Sequence, residues 1–192
     1  MEFVDGENLT IEAQKIAHAE SIKLVEGEFY KKDCFIWIPG VAAGERVASS
    51  GHSRETGVKG HWVSIQPHAI RASYYTAVVG SGETRQEVNE KLWQLGFSAL
   101  VFRKDKQSQK SKGVDIALTK DMLSHAFRGN FDVAVLVAGD ADYVPLVEEV
   151  KSLGKQVIIS FFNEYGLSPS LRRAADAYYD LTLYFVKQWR AE

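Results

Sequence analysis

The chain alternates short apolar runs with longer segments in which apolar residues recur every three or four positions. Runs of the first kind predict buried strands, and segments of the second kind predict amphipathic helices. After residue 66 the alternation is regular, which predicts a mostly parallel sheet with helices on both faces and right-handed crossovers. The predicted strands are 2–4, 69–79, 97–102, 133–138 and 156–162, and the predicted helices are 9–25, 83–95, 115–127, 143–153 and 170–177.

One long segment, residues 26–66, departs from this alternation. It is rich in glycine and in short aromatic runs, which favours an extended loop or a small hairpin inserted into the domain. Its aromatic residues are either stacking platforms for unpaired bases or a small core of the insertion itself. We favour the core interpretation for Tyr30, Trp37 and Trp62.

Aspartates follow the predicted strands at the points where the chain leaves the sheet. Asp5 ends the first strand, Asp115 opens the helix after a polar loop, and Asp140 and Asp142 follow the most apolar strand, 133–138. If the first and the most apolar strands are neighbours, these four carboxylates converge. Like charges at short range repel unless a cation or a retained proton neutralises them, and oxygen ligands favour Mg²⁺ or Mn²⁺ over zinc.

Each of these acids also has an ordinary structural explanation. Asp5 can belong to a simple turn, Asp115 and Asp142 can cap helices, and Asp140 can be solvated in its turn. Taken together, these explanations weaken. They must account for acids at three strand exits on the same predicted edge, two of them directly after the most apolar strand.

Charge is distributed unevenly along the chain. The 192 residues carry a formal net charge of -2, so no overall positive field indicates a nucleic-acid partner. The loop 103–113 nevertheless holds five basic residues against one acid, directly before Asp115. It is either a site that holds a polyanionic backbone or an ordinary solvated loop.

The single cysteine, Cys34, excludes an internal disulfide framework and favours a reducing cytoplasm. The first residues lack the basic and apolar segments of a secretory signal, and no apolar run is long enough to cross a bilayer. We therefore expect a cytoplasmic protein with no membrane partner. The aromatic tail, 178–189, is either core or an interface between copies, which leaves a homo-oligomer open.

Several segments of the sequence resemble the signature motifs of the NYN domain family, a branch of the PIN-like metal-dependent ribonucleases. They occur in the family's order and spacing and cover the chain except for the insertion. The segments are FVDGEN (3–8), KGVDIAL (112–118), VLVAGDADYVPL (135–146), GKQV (154–157) and LRRAAD (171–176). One departure is Ala138, where the family often has serine, so a secondary hydrogen bond is lost.

The resemblance implies a PIN-like three-layer α/β/α domain over residues 1–192, with a mostly parallel twisted central sheet and the insertion at about 26–66. It also implies that Asp5, Asp115, Asp140 and Asp142 form the catalytic and metal-binding site for Mg²⁺ or Mn²⁺, with Asn8 as a polar member. The nucleic-acid-binding candidates are Arg103, Lys110, Lys112, Arg172 and Arg173.

Three functions remain open at this point. The first is a metal-dependent endoribonuclease that hydrolyses single-stranded or structured RNA, in which Asp5 and Asp140 bind metal while Asp115 and Asp142 bind a second ion or orient water. The second is a non-catalytic nucleic-acid-binding or regulatory module. The third is a phosphatase of the haloacid-dehalogenase kind, although that chemistry requires an Asp-x-Asp motif where this chain has Asp5-Gly6-Glu7.

Overall fold

A computed structural model describes residues 1–38, 71–104 and 113–190. Within these ranges the chain forms eight strands and six α-helices. The strands are β1 (Glu2–Asp5), β2 (Tyr30–Lys31), β3 (Phe35–Ile36), β4 (Ala72–Val78), β5 (Phe97–Arg103), β6 (Val133–Val137), β7 (Gln156–Phe161) and β8 (Ala177–Asp180). The helices are α1 (Gly6–Ala19), α2 (Gly82–Gln94), α3 (Val114–Phe127), α4 (Val144–Ser152), α5 (Pro169–Ala174) and α6 (Thr182–Trp189).

Six of the strands form one parallel sheet in the order β5-β4-β1-β6-β7-β8. This confirms the predicted α/β fold class. The first strand lies at the centre, where Val4 pairs with Tyr74 of β4 on one side and with Val137 of β6 on the other. After β1, the chain first adds β4 and β5 on one side of it and then adds β6, β7 and β8 on the other side. A reversal of this kind opens a crevice at the carboxyl ends of the two central strands.

The two faces of the sheet are covered by different elements. Phe3 packs edge-on against Phe131 beside α3, while α3, α4 and α5 contact one another in series. On the opposite face, α1 packs against β3, and the Tyr74 hydroxyl donates to Ile36 O at 2.8 Å. A helix layer, the sheet, and a second layer of α1 with the β2–β3 hairpin therefore form an α/β/α arrangement.

The start of the predicted insertion belongs to the main core. The described part of this segment contains an antiparallel hairpin, β2–β3, which is one of the two structures expected for residues 26–66. Trp37 is buried against Phe97 of β5, and Tyr30 is buried against Trp189 of α6. Both residues are therefore core, but the expectation of a separate core within the insertion is wrong for them, because their ring contacts are with β5 and α6. Trp62 and residues 39–66 lie outside the described residues.

The largest differences from the predicted boundaries lie in the first helix and in the C-terminal segment, where the helix predicted over 170–177 ends at Ala174. The first helix spans residues 6–19 instead of 9–25, because Asp5 takes the N-cap position and Ser21 adopts a left-handed backbone conformation with φ 55°. The tail after α5 forms strand β8 and helix α6, with Phe185 fully buried. Because α6 contributes to the core, the tail is more than an extended aromatic segment. Cys34 is a buried free thiol.

Candidate active site

Asp5 is the buried carboxylate at the centre of the acidic site. It ends β1 and begins α1, so its side chain caps the helix by accepting a hydrogen bond from the Asn8 backbone N–H at 2.9 Å. Its other carboxylate oxygen accepts from the Tyr143 hydroxyl at 2.8 Å. Only 4% of the residue is exposed. Asp5 is therefore both a helix cap and a site residue, and the two interpretations do not compete.

Strand β1 passes into α1 without a connecting residue because position 6 is glycine. A β-carbon on Gly6 would come within 1.9 Å of the Tyr74 ring, so any side chain there would displace the core. The close approach of α1 to β4 thus requires glycine and fixes the carboxylate of Asp5 at the end of the sheet.

Asp115 is linked to Asp5 by the hydroxyl group of Tyr143, which hydrogen-bonds to both carboxylates. It lies in the first turn of α3, whose N-cap is Gly113 and which has no side-chain cap. Its Oδ1 accepts from the Tyr143 hydroxyl at 3.2 Å, so a single phenol contacts the carboxylates of both Asp5 and Asp115. The capping explanation for Asp115 is therefore wrong.

Asp140 and Asp142 stand on a short 3₁₀ turn, Ala141–Tyr143, between β6 and α4. Both residues are exposed, and the helix cap of α4 is Tyr143, without a side-chain hydrogen bond. The capping explanation for Asp142 fails for this reason. The turn directs the phenol of Tyr143 into the protein and leaves the two carboxylates at the surface.

The acids influence one another electrostatically. Burial raises the pKa of Asp5 to about 7, and the charge of Asp115 adds to this effect although two hydrogen bonds oppose it. Desolvation also raises the pKa of Asp115, helped by the charges of Glu7, Asp140 and Asp142. The pKa of the Tyr143 phenol rises far above its usual range because of burial and the two carboxylates it contacts. Asp5 therefore retains a proton to higher pH than an exposed aspartate does, mainly because it is buried, and burial together with the neighbouring charges acts on Asp115 in the same direction.

Asn8 links the two central strand exits. Its backbone N–H donates to Asp5, and its side-chain oxygen accepts from Gly139 N at 2.9 Å, directly before Asp140. Gly139 O in turn accepts from Ser168 N at 2.8 Å in the segment that leads to α5. Asn8 thus holds the loop after β6 against the start of α1, which gives the predicted polar residue a positioning role.

Glu7 and Lys104 extend the site towards the basic loop. Lys104 directly follows β5, and its ammonium forms a partly buried ion pair with Glu7 in the first turn of α1. Glu7 raises the pKa of both Asp5 and Asp115 through its charge. The ion pair therefore places one cation of the basic segment beside the acidic site.

The other predicted nucleic-acid contacts are more distant or lie elsewhere. Arg103 is exposed at the end of β5, next to Lys104. Arg172 lies on α5, where it donates to Asn163 at 3.1 Å and its guanidinium stands 4.6 Å from the centre of the Tyr178 ring. Arg172 and its exposed neighbour Arg173 reach the site only indirectly, because α5 contacts the 3₁₀ turn. Lys110 and Lys112 lie outside the described residues.

The donor set has the chemistry of a site for a hard divalent cation. It consists of carboxylates, without cysteine or histidine, and Mg²⁺ and Mn²⁺ prefer such oxygen ligands. In the part of the chain that the structure describes, no three acidic, histidine or cysteine side chains already form a ligand set. The same part contains no helix long and apolar enough to span a membrane.

Tyr143 and Glu7 are the site residues whose roles sequence reasoning missed. Both are inside the quoted motifs, but the sequence pattern predicts only that Tyr143 begins a helix, and Glu7 enters only as part of the motif that a phosphatase would require. A tyrosine immediately after two clustered aspartates is the signal that could have identified the first. No local pattern predicts the partnership of Glu7 with Lys104.

The described chain is thus a parallel α/β domain with acidic side chains at the strand exits beside its topological switch point. The NYN domain model matches residues 2–182, and the chain therefore belongs to the NYN domain family, which is related to the PIN-like nucleases. A solved protein of unknown function from Vibrio parahaemolyticus is similar over 60% of this chain and 71% of its own, with 24% identity and a TM-score of 0.49. No curated protein matches the chain.

Proposed function

We propose that the protein is a metal-dependent endoribonuclease that hydrolyses RNA phosphodiester bonds in the cytoplasm. The observation that carries the proposal is the hydrogen bonding of the Tyr143 hydroxyl to both Asp5 and Asp115 at the switch point, with Asp140 and Asp142 on the neighbouring turn after β6. Such a group is stabilised by a divalent cation, and NYN domains are related to nucleases that act on nucleic acids.

The proposal assigns Asp5, Asp115, Asp140 and Asp142 to the binding of Mg²⁺ or Mn²⁺. When bound, the ion supplies a water of lowered pKa and neutralises charge that develops on the phosphate. Asp5 and Asp115 are held by Tyr143, whereas the exposed Asp140 and Asp142 are free to turn towards the ion. Glu7 keeps Lys104 at the rim, where its ammonium can attract the polyanionic substrate.

The basic residues supply affinity for the RNA backbone in this proposal. Arg103 and Lys104 stand at the exit of β5, and the predicted contacts Lys110 and Lys112 follow in the sequence. Arg172 and Arg173 stand on α5, which contacts the turn that carries Asp140. Substrate would thus reach the acids between two groups of cations, although the net charge of the chain is -2.

The test compares two aspartate variants at opposite ends of β6. Asp140→Asn removes a proposed metal ligand, while Asp132→Asn removes an exposed carboxylate before the strand begins. With single-stranded and structured RNA in Mn²⁺ or Mg²⁺, we expect cleavage by the wild type and by Asp132→Asn, and a loss of at least about 100-fold in Asp140→Asn. EDTA should abolish cleavage by all three proteins.

Equal cleavage by the wild type and Asp140→Asn, or cleavage that persists in EDTA, would contradict the proposal. RNA binding that survives EDTA without any cleavage in metal would favour the non-catalytic module instead. The phosphatase alternative is disfavoured because the acid two positions after Asp5 is Glu7, which is engaged by Lys104.

A further inference from the structure

The phenol of Tyr143 connects two carboxylates that come from different parts of the fold. Asp5 ends the central strand and Asp115 lies in the first turn of α3, yet both accept from the same hydroxyl, at 2.8 Å and 3.2 Å. We propose that Tyr143 is a positioning residue that holds Asp115 beside Asp5 in the orientation needed for cation binding. This inference rests on the proposed function, because it concerns the same acidic site.

Tyr143 is itself rigidly placed. Only 3% of the residue is exposed, and its backbone N–H closes the 3₁₀ turn on Asp140 O at 3.3 Å. Helix α4 begins at the next residue, with Pro145 in its first turn. Burial of the ring and the turn at its backbone therefore restrict where the hydroxyl can lie, and the carboxylates that bond to it share that restriction.

The two carboxylates depend on the hydroxyl to different degrees. Asp5 is buried and keeps a second hydrogen bond from Asn8 N, so it stays in place without the phenol. Asp115 is exposed, and the phenol supplies its described hydrogen bond. Without that bond, repulsion from Glu7, Asp140 and Asp142 drives the Asp115 carboxylate towards solvent.

The size of the effect follows from the role of the hydroxyl. Groups that orient metal-binding side chains commonly change metal affinity by about 10–100-fold when they are removed. Tyr143→Phe keeps the buried ring and removes only the hydroxyl. We therefore expect a folded protein that binds Mn²⁺ about 10–100-fold more weakly than the wild type.

The matched control is Tyr75→Phe. The Tyr75 hydroxyl contacts Asp121 Oδ2 at 3.2 Å, which is also a tyrosine–carboxylate bond to helix α3, but further along the helix than Asp115. Like Tyr143, Tyr75 is almost fully buried. The control therefore measures what the loss of a buried phenol hydroxyl does to α3 in general.

The experiment is a calorimetric titration of each protein with MnCl₂ alone, without RNA, accompanied by urea unfolding to establish that the variants are folded. The wild type and Tyr75→Phe should bind alike, and Tyr143→Phe should bind about 10–100-fold more weakly. Asp115→Asn should bind weakly with or without Tyr143→Phe, because the hydroxyl acts through that carboxylate. Excess Mn²⁺ should restore RNA cleavage by Tyr143→Phe, since positioning is lost and the ligands remain.

The outcomes separate this inference from the proposed function. If the wild type and Tyr143→Phe bind Mn²⁺ equally, or if Tyr75→Phe loses as much affinity as Tyr143→Phe, the positioning role is overturned while the proposed function stands. If Tyr143→Phe weakens binding equally with and without Asp115→Asn, the hydroxyl does not act through Asp115 and the inference also falls. A wild type that binds no Mn²⁺ overturns both.

Discussion

Replacing the buried acid at the centre of the site should make the protein more stable and less active. Asp5→Asn removes a carboxyl whose pKa burial raises to about 7 in the folded state. The unfolded value is close to 3.8. At pH values between about 4 and 7, Asp5 therefore holds a proton in the folded protein that it has released in the unfolded chain. Stability from this group is fully present below about pH 4 and is lost as the pH rises to about 7.

The magnitude follows from the difference between the two pKa values. About three units, at about 1.4 kcal/mol per unit, give an upper value of about 4 kcal/mol for the stability that the wild type loses across this range. The asparagine variant does not titrate and should lose none of it. The hydrogen bonds from Asn8 and Tyr143 partly survive, because an amide still offers an oxygen acceptor.

The assay is urea unfolding in EDTA at pH 4, 5, 6, 7 and 8, with the free energy of unfolding of the variant compared with that of the wild type. The difference should move in favour of Asp5→Asn by about 2–4 kcal/mol between pH 4 and pH 8. Asp142→Asn is the control, since it removes an exposed carboxylate from the same site and should produce a far smaller change. A difference that stays constant with pH would refute the reasoning.

Three further variants test the packing and the buried charge of the protein outside the proposed ligands. Gly139→Ala should lower the unfolding free energy by about 3 kcal/mol, since a β-carbon would lie 2.4 Å from Gly166 O; an unchanged melting temperature would contradict this. Trp37→Ala should lower the unfolding free energy by about 3–5 kcal/mol, because packing on Phe97 is lost. Since the side chain belongs to the core, the RNA affinity of the folded variant, measured by fluorescence anisotropy, should equal that of the wild type. Glu2 is 1% exposed, and burial raises its pKa to about 8. The wild type therefore loses stability as the pH rises from 5 to 9, and Glu2→Gln should gain stability relative to it over that range. A difference in unfolding free energy between the two proteins that is the same at pH 5 and pH 9 would count against this.

The sheet was predictable because its strands are marked by local patterns. The run of apolar residues at 133–138 is typical of a strand in the middle of a parallel sheet, and glycines at 96 and 154 follow helices with positive φ values, as the sequence indicates. Strand β8 was missed because it lies at the edge of the sheet, where its partly exposed residues show no strong alternation.

In the candidate site, too, the residues marked by local sequence patterns were predictable and those whose roles depend on distant contacts were not. The aspartates were predictable because each one stands beside its own strand end in the sequence, so topology alone brings them to one edge. The roles of Tyr143 and Glu7 depend on contacts between residues about 100 or more positions apart, such as Tyr143 with Asp5 and Lys104 with Glu7. Periodicity reports which face of an element is buried, and it carries no information about which distant side chain is met there.

The central position of β1 means that the sheet cannot be completed until strands far along the chain have been synthesised. Its partner on one side, β6, enters the chain at residue 133, and the register joins Glu2 to Val135. Such distant pairings close late and slow folding, because the entropy of the long intervening loop opposes them. A nascent chain that ends before residue 140 carries Asp5 and Asp115 without the other two proposed metal ligands, Asp140 and Asp142. On the proposed function, a ribosome-bound intermediate would therefore be inactive towards RNA, including the messenger being translated.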